Sequence, residues 1–88
     1  MKDLKILIAG YEAAPFYKRG GLGDVMESLP KALVGIGVEA RVVIPYYNEI
    51  RNKYHFQKDG DFEVTFDGRK RRVDIFATKY ANVPFYFL

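Results

Sequence analysis

"YKRGGLGDVMESLP", residues 17–30, sets two positive charges, three glycines and an acid directly ahead of an apolar helical pattern. From Leu22 the apolar positions run Val25, Met26, Leu29, Leu33 and Ile36, the spacing of one helix face. Gly35 and Gly37 supply the stop. Pro30 lies inside the pattern, where it removes a hydrogen bond and crowds the preceding turn, so a kink is expected. The stripe keeps its phase across the proline, which predicts a helix near 22–36.

The flanks of this helix decide the fold. "LKILIAG", residues 4–10, is a short apolar run that stops at Gly10 and reads as a buried parallel strand. "EARVVIP", 39–45, reads as a second strand closed by Pro45. Two strands joined by a helix of this length form a βαβ unit. Residues 46–55 read as a short polar helix. "DFEVTFDGRKRRVDIFATKY" alternates apolar and polar residues on either side of Asp67-Gly68, whose positive φ values suit a tight hairpin turn. Strands are expected near 62–66 and 72–78. "VPFYFL", 83–88, is a last strand, which could dock at a sheet edge. Its apolar run ending on Leu88 also reads as an element cut before its following loop. The expected fold is α/β: a partial Rossmann-like sheet with a parallel βαβ start and an added β-hairpin.

Composition narrows the function. Eighty-eight residues make one domain, with 49% hydrophobic and 16% aromatic content. A chain this short buries only about 60–65% of its unfolded surface, and its seven Tyr and seven Phe partly compensate. Absence of cysteine removes disulfides and thiolate metal sites, and the single histidine, His55, has no carboxylate cluster for a metal cage. No metal or cofactor is expected. No run approaches the ~18 apolar residues of a membrane span. "LKILIAG" is too short for a signal-peptide core and has no small-residue cleavage site behind it, so a cytoplasmic protein is expected. The net charge of +3 is mild, and much of it lies in "RKRR", 69–72, which reads as a solvated hairpin edge.

The loop after the first strand is the usual ligand position in an open parallel sheet. A helix starting near Leu22 presents unpaired N–H groups and the positive end of its dipole to that loop. Gly20 and Gly21 let a ligand approach the backbone and let φ turn positive. Lys18 supplies a mobile charge suited to phosphate. Asp24 sits in the first turn, where the dipole favours it, and can accept from a sugar hydroxyl. The stretch does not match the dinucleotide fingerprint, and each of these residues also has an ordinary structural reading.

Taken with its flanks "YEAAPFY" and "GVEARVVIPYYNEIR", the segment "KRGGLGDVMESLPKAL" resembles the amino-terminus of bacterial glycogen synthases and plant starch synthases. The shared hallmark is Lys-x-Gly-Gly-Leu followed by Asp-Val and Leu-Pro, carried here by Lys18, Gly20, Gly21, Leu22, Asp24, Val25, Leu29 and Pro30. The resemblance covers residues 4–51 well and resumes at "VPFYFL". It implies a glycosyltransferase of the two-Rossmann-domain B type, of which residues 1–88 would be a truncated amino-terminal piece. Such enzymes move glucose from ADP-glucose or UDP-glucose to an α-1,4-glucan with retention, without nucleic acid or membrane partners. By that analogy Lys18 is catalytic and neutralises the diphosphate. Gly20 and Gly21 lie beside the donor, Asp24 orients its polar groups, and Glu12 lines the acceptor side. Arg19 and Tyr11 depart from the family pattern. His55 follows the second strand too closely to be the family's catalytic histidine. By itself the chain is expected to be inactive. A free-standing, non-catalytic anion-binding or interaction module is the alternative.

Overall fold

The computed structural model describes residues 3–88. The strands are β1 (Lys5–Ala9), β2 (Glu39–Ile44), β3 (Gln57–Phe66), β4 (Arg69–Tyr80) and β5 (Val83–Phe87). The helices are α1 (Gly21–Gly35), between β1 and β2, and α2 (Asn48–Lys53), between β2 and β3. The strands form one sheet in the order β1-β2-β5-β4-β3. β1, β2 and β5 are parallel, and the hairpin joins them antiparallel through β4. The parallel βαβ start and attached hairpin are therefore as the sequence predicts.

Three details differ from expectation. The last strand does not take the edge position, one of its two readings: β5 lies between β2 and β4, with Val83, Phe85 and Phe87 fully buried. The hairpin is longer than its alternation indicates. "QKDG" looks like loop by composition, yet it pairs with β4 through a register shift between Lys58 and Gly60. The third concerns α1. Its buried ridge is Gly23, Met26 and Pro30, with Leu22 and Val34 packed beside it. Val25, Leu29 and Ile36 remain 50%, 46% and 64% exposed. The apolar stripe is therefore wider than the contact it makes with the sheet.

Local chemistry accounts for the element ends. α1 continues through Pro30 and closes at Gly37, whose φ is +88°. The Val38 N–H donates to the Leu33 carbonyl and the Gly37 N–H to that of Val34, a Schellman pair. Asp67 and Gly68 both take positive φ, 54° and 70°, as a tight hairpin turn demands.

The core lies on one sheet face, where Val42, Ile44, Phe85 and Phe87 meet Met26 of α1 and Ile50 of α2. The aromatic residues concentrate there. Phe16, from the loop after β1, stands edge-on to Tyr54, Phe56, Tyr80, Phe85 and Phe87 at centroid distances of 5.1–5.9 Å. Edge-to-face pairs add about 0.5–1.5 kcal/mol each beyond area burial. That loop is thus anchored from below. No helix among the described residues is long and apolar enough to cross a membrane.

One face of the hairpin carries a charge ladder. Lys58 lies 3.3 Å from Asp61 and 3.2 Å from Asp74, and Arg72 reaches both acids at 3.2 Å. The hydrogen bond from Lys58, then the Arg72 charge, hold the Asp61 carboxyl below its ordinary value of 3.8. A depressed carboxyl contributes stability above its unfolded pKa and loses it as pH falls through the folded one. Asp61→Asn is therefore expected to lower the urea midpoint at pH 6, with the gap from wild type closing below about pH 4. A gap that persists at acid pH would refute the linkage.

Candidate functional site

The loop between β1 and α1 leaves the carboxyl edge of the parallel strands, the expected ligand position. It is tied to the sheet at its start, where the Gly10 N–H donates to the Val43 carbonyl at 3.1 Å. Its centre turns back on itself, with Ala13 and Tyr17 bridged and the Ala14 N–H donating to the Gly23 carbonyl. Phe16 plugs into the aromatic core beneath.

Glu12 organises the rest. Its side chain is buried, with the residue only 2% exposed, and its carboxylate accepts from three backbone N–H groups: Arg19 at 2.8 Å, Gly20 at 3.2 Å and Gly23 at 2.7 Å. α1 has Gly20 as its N-cap and no side-chain cap of its own. Glu12 does that work from outside the helix, placing a negative charge at the positive end of the dipole. An internal anion therefore already holds part of the helix start. Among the described residues no acceptor lies on the N–H groups of Gly21 and Leu22, so these are the donors left for a ligand.

The glycines work by lacking a side chain rather than by positive φ. Gly20 is extended at φ −160°, and the glycines of positive φ are Gly37 and Gly68 instead. A Cβ on Gly21 would meet nothing within 4 Å, so the side-chain side of that residue is open. A Cβ on Gly23 would press against Lys18, 2.9 Å from its Cγ and 3.1 Å from its Cβ. The bare Gly23 thus lets the Lys18 side chain lie across the first turn.

Lys18 ends there on Asp24, with Nζ 3.0 Å from the carboxylate. Both side chains are about half exposed, at 49% and 60%. Such a pair is worth roughly 0–1 kcal/mol, so an arriving phosphate can displace the acid at little cost. The arrangement holds a cation beside free backbone donors without committing it.

Arg19 goes elsewhere. Its guanidinium forms a two-pronged ion pair with Glu49 of α2, at 2.6 and 2.8 Å, and its Nε donates to the Tyr17 hydroxyl at 3.0 Å. Those partners, Tyr17 first and then Glu49, raise its pKa above the ordinary value. Tyr17 in turn packs on Tyr47, with ring centroids 4.2 Å apart, and the Tyr47 hydroxyl donates to the Tyr11 carbonyl. The second charge of the motif is therefore a strap from the loop to α2. His55 is exposed and lies outside this group.

The structure thus brings Lys18, Gly20, Gly21 and Asp24 together at the start of α1, with Glu12 beneath them. Sequence reasoning missed Phe16 as the anchor and Glu49 and Tyr17 as the partners of Arg19. The one available signal was for Glu12: a helix opening on Gly20, with no Ser, Thr, Asp or Asn at its cap, needs an acceptor from elsewhere.

Residues 5–88 match the family model for the starch synthase catalytic domain. A glycogen synthase from Clostridium acetobutylicum is 44% identical over 87 residues, covering 97% of this chain and 18% of that protein. The glycogen synthase of Lactobacillus acidophilus is 39% identical over the same coverage. The catalytic domain of starch synthase IV from Arabidopsis thaliana, solved with ADP and acarbose, superposes with a TM-score of 0.81 at 31% identity. That likeness spans 96% of this chain and 17% of the plant chain. This chain accordingly spans less than a fifth of the length of these relatives. Its glycine loop, sheet order and sequence place it in the starch synthase catalytic-domain family, to which it belongs.

Proposed function

We propose that the chain forms one wall of the donor site of an α-glucan synthase. The reaction is transfer of glucose from ADP-glucose or UDP-glucose to an α-1,4-glucan with retention. One observation carries the reading: Lys18, held by an exposed pair with Asp24, stands beside the same first turn of α1 as the free N–H groups of Gly21 and Leu22. Charge-assisted donors of this kind suit a diphosphate. The ADP in the plant structural neighbour supports a nucleotide ligand for this family.

In this reading Lys18 swings from Asp24 to the leaving diphosphate and stabilises its charge as the glucosyl bond breaks. Asp24, released, accepts from a sugar hydroxyl. Glu12 is a positioning residue: its carboxylate is spent on backbone N–H groups, and it fixes where Gly20 and Gly21 lie. Stabilising a developing charge requires a closed cleft with donors on both sides, and these 88 residues supply one side. Family membership favours this reading over a free-standing module.

Two measurements on the chain as it stands test the proposal. Titration with ADP, followed by amide NMR, is expected to move Gly20, Gly21 and Leu22 and to leave the hairpin tip at Gly68 unmoved. Radiolabelled ADP-glucose with glycogen is expected to give no incorporation. Shifts confined to the hairpin, or clear turnover, would refute it.

A further inference from the structure

The Lys18 ammonium pairs with an exposed acid, a contact too weak to fix it. Its position must therefore come from the backbone that carries it. That backbone leaves a compact turn. The Phe16 and Tyr17 N–H groups both donate to the Ala13 carbonyl, at 3.0 and 2.9 Å, and the Ala13 N–H donates back to the Tyr17 carbonyl at 2.8 Å. The Ala14 N–H donates to the Gly23 carbonyl at 3.0 Å, which joins this turn to the first turn of α1. Residues 13–17 move as one piece, and Lys18 is the next residue along.

Phe16 is the side chain that this piece sends into the aromatic core. Its ring meets Tyr54 at the end of α2 at 5.3 Å and Phe56 at 5.6 Å. It meets Tyr80 at the end of β4 at 5.9 Å, and Phe85 and Phe87 of β5 at 5.1 and 5.3 Å. All five contacts are edge-on, with interplanar angles of 61–81°. Such a seat fixes the direction of a ring as well as its depth, because edge-to-face attraction depends on orientation. An aliphatic side chain fills the space without that constraint. On the other side of Lys18, Glu12 holds the N–H groups of Arg19 and Gly20. Lys18 thus lies between an aromatic fixture and a carboxylate one.

We propose that Phe16 is a positioning residue for the donor: its seat in the aromatic core sets where the Lys18 ammonium stands relative to the Gly21 and Leu22 N–H groups. The inference rests on the donor-site reading and adds to it a residue that touches no substrate. Placement matters because charge-assisted hydrogen bonds are short, about 2.7–2.9 Å. The lysine stem is flexible, so a shifted turn costs Lys18 its alignment rather than all contact, and the loss is partial.

The test is a double-mutant cycle on the 88-residue chain, with ADP affinity read from the amide shifts of Gly20, Gly21 and Leu22. Phe16→Leu is expected to weaken ADP roughly three- to tenfold, a part of what one charge-assisted hydrogen bond is worth. In a Lys18→Ala background the same change should cost less than about twofold, because its effect runs through Lys18. Backbone amide relaxation gives a second readout without ligand. The order parameters of Tyr17 and Lys18 should fall from about 0.85 towards 0.6, with Gly68 unchanged. Val38→Ala, in the core at the opposite end of the parallel strands, is the control for lost stability. It should lower Tm and leave ADP affinity and loop order as they are. Tyr54→Leu loosens the seat from the α2 side with the loop sequence intact, and should act in the same direction as Phe16→Leu. It decides the matter if circular dichroism shows Phe16→Leu unfolded. Full additivity with Lys18→Ala, an equal loss with Val38→Ala, or unchanged ADP affinity and loop order would each overturn the proposal. A wild-type chain without ADP shifts would sink the donor-site reading and this inference together. One that responds to ADP while Phe16→Leu responds equally would sink this inference alone.

Discussion

Replacing Lys18 by alanine is expected to cost roughly 10- to 150-fold in kcat/KM for the sugar-nucleotide donor, the equivalent of one charge-assisted hydrogen bond to phosphate. The measurement needs a complete active site. A chimera in which this chain replaces the 87 matched residues of the Clostridium acetobutylicum glycogen synthase provides one. Arg19→Ala in the same chimera should stay within a few-fold, and the structure now gives the reason. The Arg19 guanidinium is bound by Glu49 and Tyr17, on the α2 side of the loop, while Lys18 is held by the exposed Asp24. Breaking the Lys18–Asp24 pair forfeits about 0–1 kcal/mol, less than the interaction with phosphate returns, so a net gain remains. Steady-state kinetics with glycogen saturating decide it. Equal losses for the two variants would mean that the phosphate is misplaced. An unaffected Lys18→Ala would reduce its charge to an ordinary feature of the surface.

Glu12→Ala is expected to act on stability rather than on substrate affinity. The substitution strips the acceptor from the N–H groups of Arg19, Gly20 and Gly23 and leaves the Gly23 donor buried. Hydrogen bonds to a charged group are worth about 1.5–3 kcal/mol each, but Arg19 and Gly20 are exposed and water can replace theirs. A net loss of about 1.5–3 kcal/mol follows, which for a domain of this size lowers Tm by roughly 6–24 °C. Glu12→Gln keeps one acceptor oxygen and turns an amide N–H towards a backbone donor, so it should fall between the two. Thermal unfolding of the isolated chain provides the check. If Glu12 also lined the acceptor side, as family resemblance implied, Glu12→Ala would raise KM for glycogen in the chimera at temperatures where the variant stays folded.

The two variants probe different levels of the same loop. Lys18 has a role written in the motif, because its spacing from Gly20 and Gly21 is local and the helix start lies within a few residues. Glu12 has a role that only the fold reveals. Eleven residues separate it from the Gly23 N–H, and the chain between them must turn at Ala13–Tyr17 and seat Phe16 before the carboxylate can reach its donors. Arg19 is a sharper case. Its carboxylate partner, Glu49, is thirty residues away on α2, and no periodicity in either segment links them.

What the sequence determined by itself was whatever the backbone decides locally. The apolar period placed α1, Asp67-Gly68 placed the hairpin turn, and Gly37 placed the helix end, because each rests on φ/ψ preferences or hydrogen bonds within a few residues. The βαβ start followed from the order of those elements. Tertiary structure decided the rest. It put β5 inside the sheet, since a strand's neighbours depend on which unpaired edge it meets and not on its own composition. It also chose the Gly23–Met26–Pro30 ridge of α1 over the wider stripe, because the sheet meets one side of the helix and leaves Val25 and Leu29 outside. And it spent Glu12 on backbone N–H groups, because a carboxylate carried out of water binds the nearest unpaired donors, and only the folded loop determines which those are.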